Sequence, residues 1–285
     1  MSFEEKFYQS NDGLNLYYRE YGGDNQTTPV VCLSGLTRNS ADFHDFALRY
    51  SGTRKVYCLD YRGRGKSDYD PECNNYNPQT YAMDALTFLS SKSIENAIFV
   101  GTSLGGIIAM GLSGLAPQYV SGAILNDIGP DIDTSGSERI ADYVGKDIRF
   151  SSLKQAVSAQ KKLYINAYPD LDDEGWLKTT EAAYVYDDEK SNYRQNYDLK
   201  LGQALGEQIK EDQQIDLWPF FESLKSVPTL AIRGALSDIL SEETFDKMKA
   251  HHPQMQWLQL ENRGHVPLLD EPLALNKMDK FFDQQ

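Results

Sequence analysis

The chain has 285 residues, 40% of them hydrophobic and 25% charged, with a formal net charge of -14 and a pI near 4.7. That length and apolar share allow a sizeable core and exclude a disordered chain. The acidic balance sets the protein against phosphate backbones and anionic membrane surfaces, so neither nucleic acid nor membrane is an expected partner.

Segments 7–9 and 14–19 alternate apolar and polar residues around Asn11-Asp12-Gly13, which predicts a hairpin. Short apolar runs at 29–33, 55–59, 97–100, 120–126, 227–232 and 256–260 read as further strands. Helical patterns fall at 41–50, 79–90, 104–115, 242–250 and 271–282. Strands alternating with helices predict an α/β fold with a mainly parallel sheet covered on both faces. Segment 129–217 breaks the pattern. It shows no buried strand, and polar amphipathic helices are expected at 137–144, 151–167, 174–184 and 199–209. This insertion is rich in aromatics: Tyr143, Phe150, Tyr164, Tyr168, Trp176, Tyr184, Tyr186, Tyr193 and Tyr197.

Gly101-Thr102-Ser103-Leu104-Gly105 follows the apolar run at 97–100 and opens an apolar helix. A G-x-S-x-G between strand and helix is the setting of a nucleophile elbow, where a strained turn exposes the serine Oγ. Gly101 and Gly105 remove side chains that the turn would bring into collision. The Leu104 N–H at the helix start is placed to bind a developing oxyanion. A second donor is expected from Leu33-Ser34-Gly35-Leu36, where Leu36 supplies the N–H.

A serine hydroxyl needs a base, and the base needs an orienting acid. Of the four histidines, His251 and His252 end a helix and His44 lies within one. His265 follows the last strand, in a loop that can reach an active site at the sheet's carboxyl edge. Two acids fit the order Ser…Asp…His, namely Asp238 and Asp127, each just past a strand. Asp60-Tyr61-Arg62-Gly63-Arg64-Gly65-Lys66-Ser67 lacks the spacing of a phosphate loop. It reads as a structural turn, with Asp60 on backbone N–H groups and Arg62 on local carbonyls. Cys32, Cys58 and Cys73 make neither a C-x-x-C pair nor a full disulfide set. No metal or organic cofactor is implied.

These segments together resemble the α/β-hydrolase superfamily over nearly the whole chain. The resemblance rests on the loop at Leu33–Leu36, the Asp60–Ser67 turn, the Ser103 elbow, the segment around Asp238 and Gly264-His265. It implies an α/β-hydrolase fold, with an eight-stranded, mostly parallel sheet and a helical cap inserted after the sixth strand. The core would then be 1–128 and 218–285, and the cap (lid) 129–217. It favours Asp238 over Asp127 as the acid, because relatives usually carry theirs after the strand that follows the cap. One departure is Ser34-Gly35, where relatives usually have His-Gly.

The expected activity is that of a serine hydrolase acting on a small carboxylic ester or related acyl compound. Its triad would be Ser103, His265 and Asp238, with the Leu36 and Leu104 N–H groups as oxyanion hole. Ser103 stands where dehalogenases and epoxide hydrolases of this fold have aspartate. Carbon–carbon bond hydrolysis or lactone opening on the same triad is the alternative, and a non-catalytic binding protein a more distant one. The tyrosine-rich insertion points to an apolar or aromatic small-molecule substrate. Nothing in the sequence bears on oligomeric state. Met1-Ser2-Phe3-Glu4-Glu5-Lys6 has neither the basic nor the apolar part of a leader, and no stretch approaches the ~20 apolar residues of a span. A cytoplasmic location is expected.

Overall fold

A computed structural model describes residues 3–23, 27–210 and 215–285. Met1 and Ser2, the start of the segment read for a leader, lie outside the described residues, as do 211–214 within the insertion.

The first half of the chain lays down β1 (Glu4–Gln9), β2 (Asn15–Tyr21), β3 (Val30–Leu33), α1 (His44–Tyr50), β4 (Val56–Leu59), α2 (Pro78–Ser91), β5 (Ala97–Thr102), α3 (Leu104–Leu115) and β6 (Val120–Asn126). The insertion follows with α4 (Thr134–Tyr143), β7 (Arg149–Phe150), α5 (Leu153–Tyr164), α6 (Asp173–Ala183), β8 (Tyr184–Asp187), β9 (Asn192–Gln195) and α7 (Lys200–Lys210). The chain returns to the main layer through α8 (Trp218–Ser223), β10 (Thr229–Gly234), α9 (Glu242–His251), β11 (Gln256–Leu260) and α10 (Pro272–Phe282).

Eight strands form one sheet in the order β1-β2-β4-β3-β5-β6-β10-β11. Only the β1–β2 and β2–β4 pairings are antiparallel, so the expected mostly parallel sheet is present. Central strands such as Ala97–Thr102 are buried along their whole length, because helices cover both faces. The pleat sorts β5 between two cores. Ala97 and Phe99 pack with α2, α3 and α8, through Phe88, Ile108 and Phe221. Ile98 and Val100 pack with α1 and α10, through Phe46 and Phe281. All parallel strands end at one edge, so the loops after β3, β5, β6, β10 and β11 gather there.

The four helices expected in the insertion are found, each within a few residues of its predicted bounds. Its three-stranded sheet, in the order β7-β9-β8, was not expected. Those strands have only two to four residues each and are mostly partly buried, too short to present a sustained alternation. The insertion is bonded to the loops at the sheet's carboxyl edge. Asn39 Nδ2 donates to the Ala182 carbonyl at 2.7 Å, and the Gly264 N–H to the Ala167 carbonyl at 2.7 Å.

Candidate active site

Ser103 sits where β5 turns into α3, with φ 53° and ψ -117°. Such left-handed backbone costs a non-glycine residue about 1–3 kcal/mol and persists only where its surroundings hold it. Here the Ser103 N–H donates to the Asn126 carbonyl of β6 at 3.0 Å. A side chain on Gly101 would overlap the Gly105 backbone, and one on Gly105 would overlap the Leu33 carbonyl. The turn can therefore be this tight only with glycine at both places.

His265 lies in the loop between β11 and α10. Its Nε2 stands 2.9 Å from Ser103 Oγ and its Nδ1 2.7 Å from Asp127 Oδ2. An ionised carboxylate can only accept, so Nδ1 carries the proton and Nε2 is left to accept from the serine hydroxyl. The loop is held from the insertion by Tyr168. Its hydroxyl donates to the Val266 carbonyl and accepts from the Val266 N–H, both at 2.8 Å.

The carboxylate that meets His265 is Asp127, which corrects the preference for Asp238. Asp127 is fully buried, at 0% exposure. Its Oδ1 accepts from the Gly234 N–H at 2.8 Å, and its Oδ2 accepts from Ser237 Oγ at 2.5 Å as well as from His265. Register explains the meeting. Thr102 of β5 pairs with Asn126 of β6, so Ser103 and Asp127 leave adjacent strands side by side. Asp238 lies four residues beyond β10 and turns outward, its side chain 36% exposed. It takes a fork from Arg139 of α4, with Nε at 2.5 Å and Nη2 at 2.9 Å. Burial pushes the Asp238 carboxyl up, but the Arg139 guanidinium and then the His265 ring outweigh it, and the group sits below its ordinary value. Residue 237, not 238, is what the loop contributes to the His265 carboxylate.

Leu104 is the first residue of α3, so its N–H is among the four that a helix leaves without a carbonyl. Gly35 brings the loop after β3 against the elbow. A Cβ there would stand 3.8 Å from Ser103 Cβ. The next peptide is clamped from behind, because Arg64 Nε donates to the Leu36 carbonyl at 2.9 Å. Tyr61 adds a bond from its hydroxyl to the Ser34 carbonyl at 3.3 Å. Arg64 also bonds the Arg62 carbonyl and the Tyr81 hydroxyl. The carbonyl-binding part expected of Arg62 thus falls to Arg64. Arg62 instead forks to Asp84 and reaches Asp12, carboxylates distant in sequence that no local pattern announces, and bonds the nearer Asp70. Asp60 does accept backbone N–H bonds, from Ser40 at 2.6 Å and Lys66 at 2.9 Å.

A cavity of about 230 Å³ opens on Ser103 and His265. Of the nine aromatics noted in the insertion, Tyr143, Tyr164, Tyr168, Trp176, Tyr184 and Tyr197 line it. Phe150 packs on Tyr184, and Tyr186 pairs with Tyr193. The wall is not wholly apolar, for Arg38, Arg139, Gln160 and Gln195 also line it. No group of three or more metal-ligating side chains occurs among the described residues, and none of their helices is long and apolar enough to cross a membrane.

Residues 28–272 match the family model described as the alpha/beta hydrolase fold. The 3-hydroxybutyrate-oligomer hydrolase of Cupriavidus necator is 30% identical over 270 residues, 93% of this chain and 92% of that protein. The 2-(acetamidomethylene)succinate hydrolase of Mesorhizobium japonicum is 24% identical over 89% of this chain and 87% of its own. The crystal structure of an alpha/beta hydrolase from Novosphingobium aromaticivorans superposes with a TM-score of 0.94 at 37% identity, covering 99% of each chain. The chain belongs to the alpha/beta hydrolase fold family. It is an enzyme, a hydrolase.

Proposed function

We propose that the protein cleaves a small carboxylic ester through an acyl-enzyme on Ser103, with His265 as base and Asp127 as the acid that orients it. Ser103 Oγ attacks the carbonyl carbon while His265 Nε2 takes its proton. The oxyanion so formed is bound by the Leu36 and Leu104 N–H groups. His265 returns the proton to the leaving alkoxide, and the alcohol departs. Water, deprotonated by the same nitrogen, then releases the acid and frees Ser103. Asp127 holds the Nδ1–H tautomer and stabilises the imidazolium. Segment 129–217 acts as a cap that walls the substrate in.

The observation that carries this reading is the unbroken run of bonds from Ser103 Oγ through the imidazole to a buried carboxylate. The similarity to a 3-hydroxybutyrate-oligomer hydrolase supports an ester of a short hydroxy acid as substrate. A fluorophosphonate probe is expected to label Ser103. The Ser103→Ala variant is expected to lose both labelling and nearly all turnover of p-nitrophenyl butyrate. An unlabelled wild-type protein, or a variant with full esterase activity, contradicts the mechanism.

A further inference from the structure

The chain carries a net charge of -14, yet two arginines stand on the wall of the cavity that opens at Ser103. Arg38 follows the oxyanion loop. Its Cγ and Ser103 Cβ both lie within 4 Å of the point where a Gly35 Cβ would stand. Arg139 reaches in from α4. Each guanidinium is fixed along one edge. Arg38 Nε and Nη2 fork to Asp42 at 2.8 and 2.5 Å, and Nη2 also reaches the Thr179 carbonyl at 3.1 Å. Arg139 Nε and Nη2 fork to Asp238.

In both, the Nη1 group has no hydrogen-bond partner among the described residues. A guanidinium has five N–H donors in one plane, so an edge held by a carboxylate leaves the opposite N–H groups oriented and unused. Tyr164 stands on the same cavity wall. A wall of oriented, unpaired donors near a nucleophile fits an acceptor that carries charge.

We propose that the substrate carries a carboxylate besides its scissile ester, and that the Nη1 groups of Arg38 and Arg139 bind it. This rests on the ester-hydrolase reading and narrows it to acidic esters. The hydroxybutyrate oligomer named for one curated relative is such an ester, and the succinate named for the other, an amide, likewise carries carboxylates. Asp42 and Asp238 then act as positioning residues that set the two guanidinium planes.

Binding is best read without turnover, in Ser103→Ala protein, by calorimetry with monomethyl glutarate and its uncharged counterpart dimethyl glutarate. The acid is expected to bind at least tenfold more tightly. Arg38→Gln and Arg139→Gln, each added to Ser103→Ala, are expected to reduce that ratio toward one. Equal affinity for the two esters, or no binding of the acid, overturns the proposal without any arginine variant. So do arginine variants that weaken both ligands equally, since that is what mere cap-to-core latches would do. Labelling of wild-type Ser103 by the fluorophosphonate is read separately, so a failure here stays distinct from a failure of the serine mechanism.

Discussion

Two loops leave the same edge of the sheet with an aspartate each, and they do opposite things with it. The loop after β6 turns at once, with φ 56° at Asp127, and buries the carboxylate under three donors. The loop after β10 runs four residues further and presents Asp238, half-exposed, to Arg139 of α4. A buried carboxylate with one backbone N–H, one hydroxyl and one imidazole on it is a fixed acceptor. The Asp238 carboxylate, part exposed, instead holds the Arg139 guanidinium in a two-bond fork. The difference between them comes from sheet order, because β6 lies beside β5 and β10 lies one strand further out.

The largest expected effects lie on the line that both aspartates could have joined. Ser103→Ala and His265→Ala should each cut kcat/KM on a neutral ester by about a million-fold, as in other hydrolases whose triad acts as a unit. A much smaller loss would mean that chemistry proceeds elsewhere in the cavity. Tyr168→Phe removes both bonds to Val266, which hold the His265 loop from the segment after α5. About tenfold in kcat is expected, following the ~0.5–1.5 kcal/mol of a typical hydrogen bond. Ser237→Ala leaves Asp127 with two of its three donors. A several-fold loss in kcat, with KM little moved, would place the loop after β10 behind Asp127 rather than in competition with it.

The smallest effect is on stability in acid. The Asp238 carboxyl sits below its ordinary value of 3.8. Its stabilising contribution is therefore fully present above about that pH and is lost as pH falls through the lower folded value. Replacing Arg139 with Gln should flatten the pH dependence of the thermal midpoint slightly below pH 4, and leave its slope near neutrality alone. Thermal scans across that range would show it.

Most of the elbow was legible, because a strand, two glycines, a serine and an apolar helix are consecutive in sequence. His265 was legible for a different reason, being the one histidine in a loop past a strand. The choice of acid was not. Both aspartates follow strands, and parallel strands all end at one edge, so local pattern alone places both near the site. Only the pairing of Thr102 with Asn126 tells them apart, and that is a long-range fact. The family pattern pointed to the outer loop, and here that loop sends in Ser237. The part expected of Arg62 falls to Arg64 for the same reason. Their partners at Asp12, Asp84 and Leu36 are 22 to 50 residues away. The small sheet of β7, β8 and β9 was not legible because strands of two to four residues are too short to show a period.

The account stands or falls on which aspartate serves His265, and that is read by comparing Asp127→Asn with Asp238→Asn on p-nitrophenyl butyrate. An amide in place of the buried carboxylate can hold the wrong tautomer with the geometry intact, which costs about ten thousand-fold in a serine hydrolase. The prediction is a loss of that order in kcat/KM for Asp127→Asn and at most several-fold for Asp238→Asn. The reverse order, or two variants equally impaired, contradicts it.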